Sequence, residues 1–172
     1  FTAVSPLSAH FSDGGRYAIV GESGSGKTTL ARMIAGLQRP SGGSVFVDDA
    51  PVYGRKRAGK EHFRKVQIIQ QNSASALDPK IPVGKSIEEP LHCFFHMEKE
   101  KRRERCRNLM ELCNLSRDYY TRLPSELSGG EQKRVAIARA LAVEPHCLIF
   151  DEATNGFDLP LRKKIIAAII DL

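Results

Sequence analysis

The sequence predicts an α/β fold with a mainly parallel sheet. Short apolar segments alternate with segments whose apolar residues recur every three or four positions, which is typical of buried strands alternating with amphipathic helices. A glycine-rich stretch, GESGSGKT at 21–28, stands between the first such strand and the first such helix. The stretch 73–130 contains no good strand, so we expect a helical subdomain inserted into an α/β core made of 1–72 and 131–172.

The individual elements follow from periodicity and from the residues that interrupt it. Apolar runs bounded by glycine, proline or polar residues predict strands at 16–21, 44–49, 65–71 and 146–153. Helical spacing predicts helices at 27–37, 83–95, 97–115, 131–144 and from 159 onward. We expect Pro90 to kink or break the second helix, because proline lacks the N–H that continues the helical hydrogen bonds.

Length and composition are ordinary for a soluble globular protein of one domain. The chain has 172 residues, of which 41% are hydrophobic and 27% charged. No apolar run approaches the roughly 18–20 residues that span a bilayer. The chain starts without Met and stops inside an apolar helical pattern, so we expect it to lack pieces at both ends.

A basic stretch, Lys99–Arg107, accounts for much of the net charge of +6. It could bind nucleic acid or an anionic membrane surface. The interpretation we favour is a solvated helix face with acid–base pairs such as Glu98–Arg102, because no aromatic residues interrupt the charges and no nucleic-acid motif accompanies them.

The four cysteines and the histidines near them give weak signals. The cysteines lack paired spacing, and Cys106 and Cys113 fall seven apart on one helix face, as small buried residues do. His92 and His96, beside Cys93, have a spacing that could hold a metal. No further ligands are near in sequence, so an ordinary helix is the better interpretation.

The stretch 21–28 matches a phosphate-binding loop in full, and each residue type has a chemical reason. The glycines allow successive N–H groups to point at phosphate oxygens, Lys27 supplies a cation for the β- and γ-phosphates, and Thr28 offers a hydroxyl to Mg²⁺. The N–H of Thr29, at the helix start, can also face phosphate. The predicted nucleotide-binding residues are Gly21, Glu22, Ser23, Gly24, Ser25, Gly26, Lys27, Thr28 and Thr29.

Two acids end the apolar strand CLIF. A carboxylate at the carboxyl end of such a strand can lie near Mg²⁺, and Asp151 is the candidate. Glu152 follows, points elsewhere, and can polarise a water in line with the γ-phosphate. Together with the phosphate loop, this pair predicts ATP hydrolysis rather than binding alone.

Three motifs in this order resemble the nucleotide-binding ATPase subunits of ABC transporters: GESGSGKTTL, LSGGEQKRVAIARAL and CLIFDEAT. The resemblance covers essentially the whole chain and implies a RecA-like P-loop NTPase core. The stretch VQIIQQNSASALDPKIPVGKSIEEPL is similar to the glutamine-loop region of the oligopeptide, dipeptide and nickel importers. On that resemblance Gln71 is the loop glutamine, which can reach Mg²⁺ or the attacking water.

The resemblance implies further roles and partners. Ser128, Gly129 and Gly130 would contact the γ-phosphate of an ATP held by a second ATPase subunit, identical or different, in a head-to-tail dimer. Asp158 would be the aspartate of the loop that joins the two subunits, and Glu152 would orient water. The helical segment would dock on membrane permeases at the cytoplasmic face of the membrane, and a solute-binding protein would act indirectly. No nucleic-acid partner is implied.

The sequence departs from the family pattern in places, and two other functions remain open. Glu131 stands where Gln is usual, and Asn155, Gly156 and Phe157 are unusual before Asp158. The adenine-stacking aromatic and the switch histidine have no assignable counterpart, since Phe1 is a few residues late. The alternatives are a soluble ABC-type ATPase acting on nucleic acid or ribosomes, and a regulatory cassette that binds ATP without turnover.

Overall fold

The computed structural model describes residues 2–54, 58–71, 76–151 and the single positions Lys163 and Ala167. Their elements in chain order are α1 (Lys27–Ile34), β1 (Phe46–Val47), β2 (Ala50–Pro51), α2 (Lys60–Lys65), β3 (Val66–Ile69), α3 (Val83–Phe94), α4 (Lys99–Leu112), α5 (Gly129–Leu141) and β4 (Cys147–Phe150). Two 3₁₀ turns, Arg117–Thr121 and Pro124–Glu126, connect α4 to α5.

Strands β3 and β4 pair in parallel, in the register Val66 to Cys147 through Ile69 to Phe150. The pairing extends one step further, because the N–H of Asp151 donates to the carbonyl of Ile69 at 3.0 Å. A parallel pair brings the carboxyl ends of both strands to the same edge. Gln71 and Asp151 therefore follow their strands at one edge of the sheet.

The core lies where α3, α4 and α5 pack on each other and on these two strands. Ile87, Met110 and Ile137, one from each helix, are fully buried in a single cluster with Ile69. Leu148 and Phe150 of β4 pack against it. The predicted burial of Cys106 and Cys113 is confirmed, since both lie in this cluster.

The helices that the structure describes agree with the periodicity, but the break expected as one possibility at Pro90 does not occur. The helix predicted from 159 onward lies outside the described residues, apart from Lys163 and Ala167. Helix α3 runs through Pro90 to Phe94 and is not broken there. Ile87 and Leu91, on either side of the proline, are fully buried. Their packing holds the helix together across the missing hydrogen bond.

The predicted strand at 16–21 is wrong, because this segment has no strand structure. Ile19 and Val20 are 47% and 90% exposed. A strand is stabilised by a neighbouring strand, and in the described residues β4 pairs with β3 and not with this segment. The apolar composition of the segment favours a strand, but it does not specify a neighbouring strand with which the segment would pair.

The predicted strand at 44–49 is the first half of an antiparallel hairpin formed by β1 and β2. Its turn residues Asp48 and Asp49 have φ angles of 49° and 60°, in the left-handed region that Asp tolerates better than most residues. Asp48 also accepts from Lys65 at 2.7 Å and lies 3.1 Å from Nδ1 of His146, so the hairpin is tied to the base of β3 and β4.

A buried carboxylate joins the helices between the strands. Glu88 of α3 is 4% exposed. It accepts hydrogen bonds from the Tyr120 hydroxyl and from Lys85, the latter at 2.9 Å, and Arg102 of α4 lies 3.8 Å away. Buried charges require such partners, so this cluster fixes α3 against α4 and the first 3₁₀ turn.

The proposed division into 1–72 with 131–172 and 73–130 stays a prediction. Within the described residues, no helix is both long and apolar enough to cross a membrane.

Candidate nucleotide-binding site

The predicted phosphate loop, 21–28, leads directly into helix α1. The loop is mostly exposed, and Thr29 is half-buried in the first turn of the helix. Gly24 and Gly26 have φ angles of 82° and 91°, which only glycine adopts without strain. Gly26 is the N-cap of α1, so the unpaired N–H groups of the first helical turn begin at the end of the loop.

Lys27 turns back over this loop. Its Nζ donates to the carbonyls of Gly21 at 2.8 Å and Glu22 at 2.7 Å, and lies 3.4 Å from the Ser25 hydroxyl. The ammonium group is therefore held on the same side as the loop that would surround a phosphate. A cation there attracts phosphate oxygens and also braces the loop.

Thr28 and Asp151 meet although 123 positions separate them. The Thr28 hydroxyl donates to the Asp151 carboxylate at 2.9 Å. The contact unites the phosphate loop with the acidic end of β4. It brings the two motifs identified from sequence next to each other.

The oxygen atoms at the shared edge of β3 and β4 are of the kinds that bind Mg²⁺. Thr28 and Asp151 supply a hydroxyl and a carboxylate oxygen, and Gln71 is exposed just beyond β3 at the same edge. Mg²⁺ binds oxygen ligands of these kinds and takes its remaining ligands from water and nucleotide phosphates. These residues fit the ion.

Two predicted site residues lie outside the described residues, the proposed base Glu152 and Asp158 of the intersubunit loop. Phe1, to which the sequence assigns no role, lies outside them as well. The roles of Glu152 and Asp158 stay predictions.

The second predicted phosphate contact, Ser128–Gly130, opens helix α5. Ser128 is the N-cap, and it forms a reciprocal capping box with Glu131. Gly129 and Gly130 are exposed, and a Cβ added to either would meet nothing within 4 Å. The space beside both glycines is therefore open, and the first turn of a helix carries unpaired N–H groups to which an anion can bind.

This turn and the phosphate loop do not contact each other through polar groups. Across the described residues 21–29 and 128–130, no hydrogen bond or ion pair joins the two. The structure thus brings Thr28 and Asp151 together but leaves Ser128–Gly130 unengaged by the phosphate loop of its own chain.

Tyr119 contacts the first turn of α5, which the sequence did not reveal. Its hydroxyl donates to Glu131 at 2.9 Å, and the Arg122 guanidinium lies 4.3 Å from the centre of its ring. The contact joins an irregular turn to a helix twelve positions later, so no periodicity or motif could have indicated it.

The helical spacing predicted for His92 and His96 is not observed, because α3 ends at Phe94 and His96 lies in the connection to α4. His92, Cys93 and His96 are exposed. Among the residues that the structure describes, no group of three His, Cys, Asp or Glu side chains could hold a metal ion.

Comparison with known proteins gives a consistent result. Residues 4–155 match the family model described as ABC transporter. The chain is 37% identical to the nickel import ATP-binding protein NikE of Brucella suis, covering 99% of this chain and 65% of that protein. It is 34% identical to the dipeptide transport ATP-binding protein DppF of Escherichia coli, covering 99% of this chain and 51% of that one. The chain therefore spans one half to two thirds of the length of these relatives.

A solved structure shares the fold. The dimeric ATP-binding cassette MJ0796, in a post-hydrolysis state bound to ADP and phosphate, superposes with a TM-score of 0.75. It is 31% identical, over 86% of this chain and 65% of that one. The predicted α/β class, with a P-loop NTPase core, is confirmed.

Proposed function

This chain belongs to the ABC transporter family, and we propose that it is the ATP-binding and ATP-hydrolysing part of an importer's cassette subunit. The observation that carries the proposal is the hydrogen bond between Thr28 and Asp151. It joins a complete phosphate loop to the acidic strand end, which is the arrangement that phosphoryl transfer from ATP requires.

In this proposal the loop residues bind the triphosphate. The N–H groups of the loop and of the first turn of α1 surround the β-phosphate, and Lys27 exchanges its bonds to Gly21 and Glu22 for phosphate oxygens. Thr28 and Asp151 would hold Mg²⁺ with help from Gln71. When bound, the ion neutralises charge that develops on the phosphate oxygens.

Hydrolysis is assigned to Glu152, which would accept a proton from water aligned with the γ-phosphate. Gln71 would help to orient that water. Because Gln71 leads from β3 toward α3, its position also couples the site to the helical segment.

A second subunit would complete the site. Ser128, Gly129 and Gly130 are exposed and unengaged by their own phosphate loop, which supports a role in closing an ATP held by a partner. The dimeric state of the cassette MJ0796 is consistent with this arrangement. Asp158 would contribute to the same interface.

The names of the relatives support a proposal for the cargo class. Their names refer to import or transport of nickel, dipeptides and oligopeptides. We propose uptake of peptides, nickel or a metal chelate, through membrane permeases that this subunit contacts at the cytoplasmic face and with a solute-binding protein that delivers the cargo.

The nucleic-acid alternative receives no support from the basic stretch. Arg102 lies near Glu88, Lys101 near Glu98, and Arg105 bonds Glu144 at 2.6 Å. Much of the positive charge of α4 is therefore balanced locally.

The test is uptake by membrane vesicles that contain the complete transporter and enclosed Mg²⁺-ATP. We expect ATP-dependent accumulation of Ni²⁺ or of a labelled di- or oligopeptide, abolished by Lys27→Ala because the phosphates lose their cation. The control Lys60→Ala, at an exposed position on α2 outside both the phosphate loop and the helical segment, should leave uptake unchanged. ATP hydrolysis stimulated by duplex DNA or ribosomes, without uptake of any of these cargoes, would contradict the proposal.

A further inference from the structure

The start of helix α5 carries a negative charge where the proposed function needs to receive a triphosphate. The Glu131 carboxylate lies in the same helical turn as Gly129 and Gly130. A mobile carboxylate beside those N–H groups would repel the phosphates of a partner's ATP. Something must therefore keep this side chain in place when the dimer closes.

One oxygen of Glu131 is occupied by Ser128. Its Oε2 accepts from the Ser128 N–H at 2.7 Å and from the Ser128 hydroxyl at 2.7 Å, while the Glu131 N–H donates back to that hydroxyl at 3.3 Å. The position of the carboxylate thus decides where the serine hydroxyl points.

The other oxygen is occupied by Tyr119. Oε1 accepts from the tyrosine hydroxyl at 2.9 Å. The ring is half-buried and stacks against Arg122, whose carbonyl accepts from the N–H of Val83 at 2.8 Å. Tyr119 is therefore anchored to α3, outside the helix whose first turn it contacts.

The charge on Glu131 is fixed by the same contacts. Hydrogen bonds from the side chain and backbone of Ser128, and then from Tyr119, hold the pKa of the Glu131 carboxyl below its usual range. The group is ionised at neutral pH, so its placement rather than its protonation controls the field at the helix start.

We propose that Tyr119 is a positioning residue for the half of the ATP site that each subunit presents to its partner. It clamps Glu131 onto Ser128, so that the closing face offers the N–H groups of Gly129 and Gly130 and not a loose carboxylate. The inference rests on the proposed function, and it adds a residue that neither the motifs nor the periodicity identified.

The experiment uses the complete subunit together with the cassette it pairs with. Dimer formation in Mg²⁺ and a non-hydrolysable ATP analogue is followed by sedimentation. We expect Tyr119→Phe to raise the analogue concentration for half-maximal dimerisation on the order of tenfold, the lower end of what losing a hydrogen bond to a charged group costs. Binding of a fluorescent nucleotide to the isolated subunit should not change, since the phosphate loop is untouched.

Repeating Tyr119→Phe in a subunit that already carries Glu131→Gln separates positioning of the carboxylate from a general structural effect of the substitution. Glu131→Gln removes the charge but keeps a side chain that can complete the capping box. In that background Tyr119→Phe should change dimerisation less than about twofold, because no charge needs restraint. The control Tyr17→Phe, which removes an exposed hydroxyl that accepts from the Ser12 N–H, should leave the analogue concentration unchanged in both backgrounds.

Each outcome either supports or contradicts the positioning role of Tyr119. An equal loss from Tyr119→Phe in both backgrounds, or no loss in either, overturns the positioning role while leaving the proposed function intact. Absence of nucleotide-dependent dimerisation in the unsubstituted protein overturns both.

Discussion

Thr28 and Asp151 show how a residue's role depends on a distant partner. Each is an ordinary polar residue in its own segment, and the hydrogen bond of 2.9 Å between them forms only because the start of α1 and the end of β4 lie at the same place. The carboxylate and hydroxyl oxygens are then close enough to share one cation. The motifs predicted this pairing, although no local pattern of periodicity contains it.

The cysteines differ in reactivity because their surroundings differ. Cys106 is fully buried between α3 and α4, and burial raises the pKa of its thiol to about 12. Cys93 is exposed on α3. Only the thiolate reacts with disulfide reagents, so the two positions should be separable by chemistry alone.

We predict that an aromatic disulfide reagent at pH 8 modifies Cys93 at least about a hundredfold faster than Cys106 in the complete native protein. Peptide mapping by mass spectrometry measures the two rates, and unfolding in guanidinium should make them similar. Fast modification of Cys106 before unfolding would show that the packing of α3 on α4 is wrong.

Among the described elements, the long helices were predicted better than the strands. The spacing that buries Ile87 on α3, Met110 on α4 and Ile137 on α5 is local, so it can be recognised in the sequence. The run at 16–21 has the composition of a strand, but a strand also needs a neighbour that composition does not specify. The strands predicted at 65–71 and 146–153 are present as β3 and β4, and they pair with each other in parallel. This pairing determines the edge of the sheet at which Gln71 and Asp151 lie.

Helix α3 depends on a buried charge. Burial by itself raises the pKa of Glu88, but hydrogen bonds from Tyr120 and Lys85 outweigh it and leave that pKa below the ordinary 4.5. A lowered folded-state pKa stabilises the fold above about pH 4.5, and this contribution is lost as the pH falls below it.

We predict that Glu88→Gln lowers the free energy of unfolding by about 1–3 kcal/mol at pH 7, because the partners of the carboxylate lose a charged acceptor. The difference from the unsubstituted protein should shrink at pH 4. Urea unfolding at the two pH values measures both effects.

The neighbouring residue supplies a matched control. Glu89 is exposed and pairs with Arg139 at 2.8 Å on the surface, so Glu89→Gln should change stability by less than about 1 kcal/mol at either pH. Equal effects of the two substitutions would contradict a special role for the buried carboxylate.

For the whole molecule, the sequence motifs predicted more of the site's residues than the predicted helices and strands did. Lys27, Thr28 and Asp151 are identifiable because phosphate chemistry restricts the residue types that can serve. Tyr119 was missed because its contact to Glu131 depends on how a 3₁₀ turn packs beside α5. The roles of Glu152 and Asp158 stay predictions.

The central claim is that the Ser128–Gly130 turn of one subunit closes the ATP site of another. It explains why this turn is exposed and unengaged by its own phosphate loop. The claim requires two subunits per functional site, whether they are identical or different.

Photolabelling of a tagged dimer with an azido-ATP, with Ser128→Arg in one subunit only, tests this claim most directly. Arginine at that position should block closure, so the unsubstituted partner should lose retained nucleotide while the substituted subunit keeps its own. Ser125→Arg, an equal charge change in the exposed turn just before, should affect neither subunit. Loss of label from the substituted subunit alone would contradict the account, because Ser128 would then serve the ATP of its own chain.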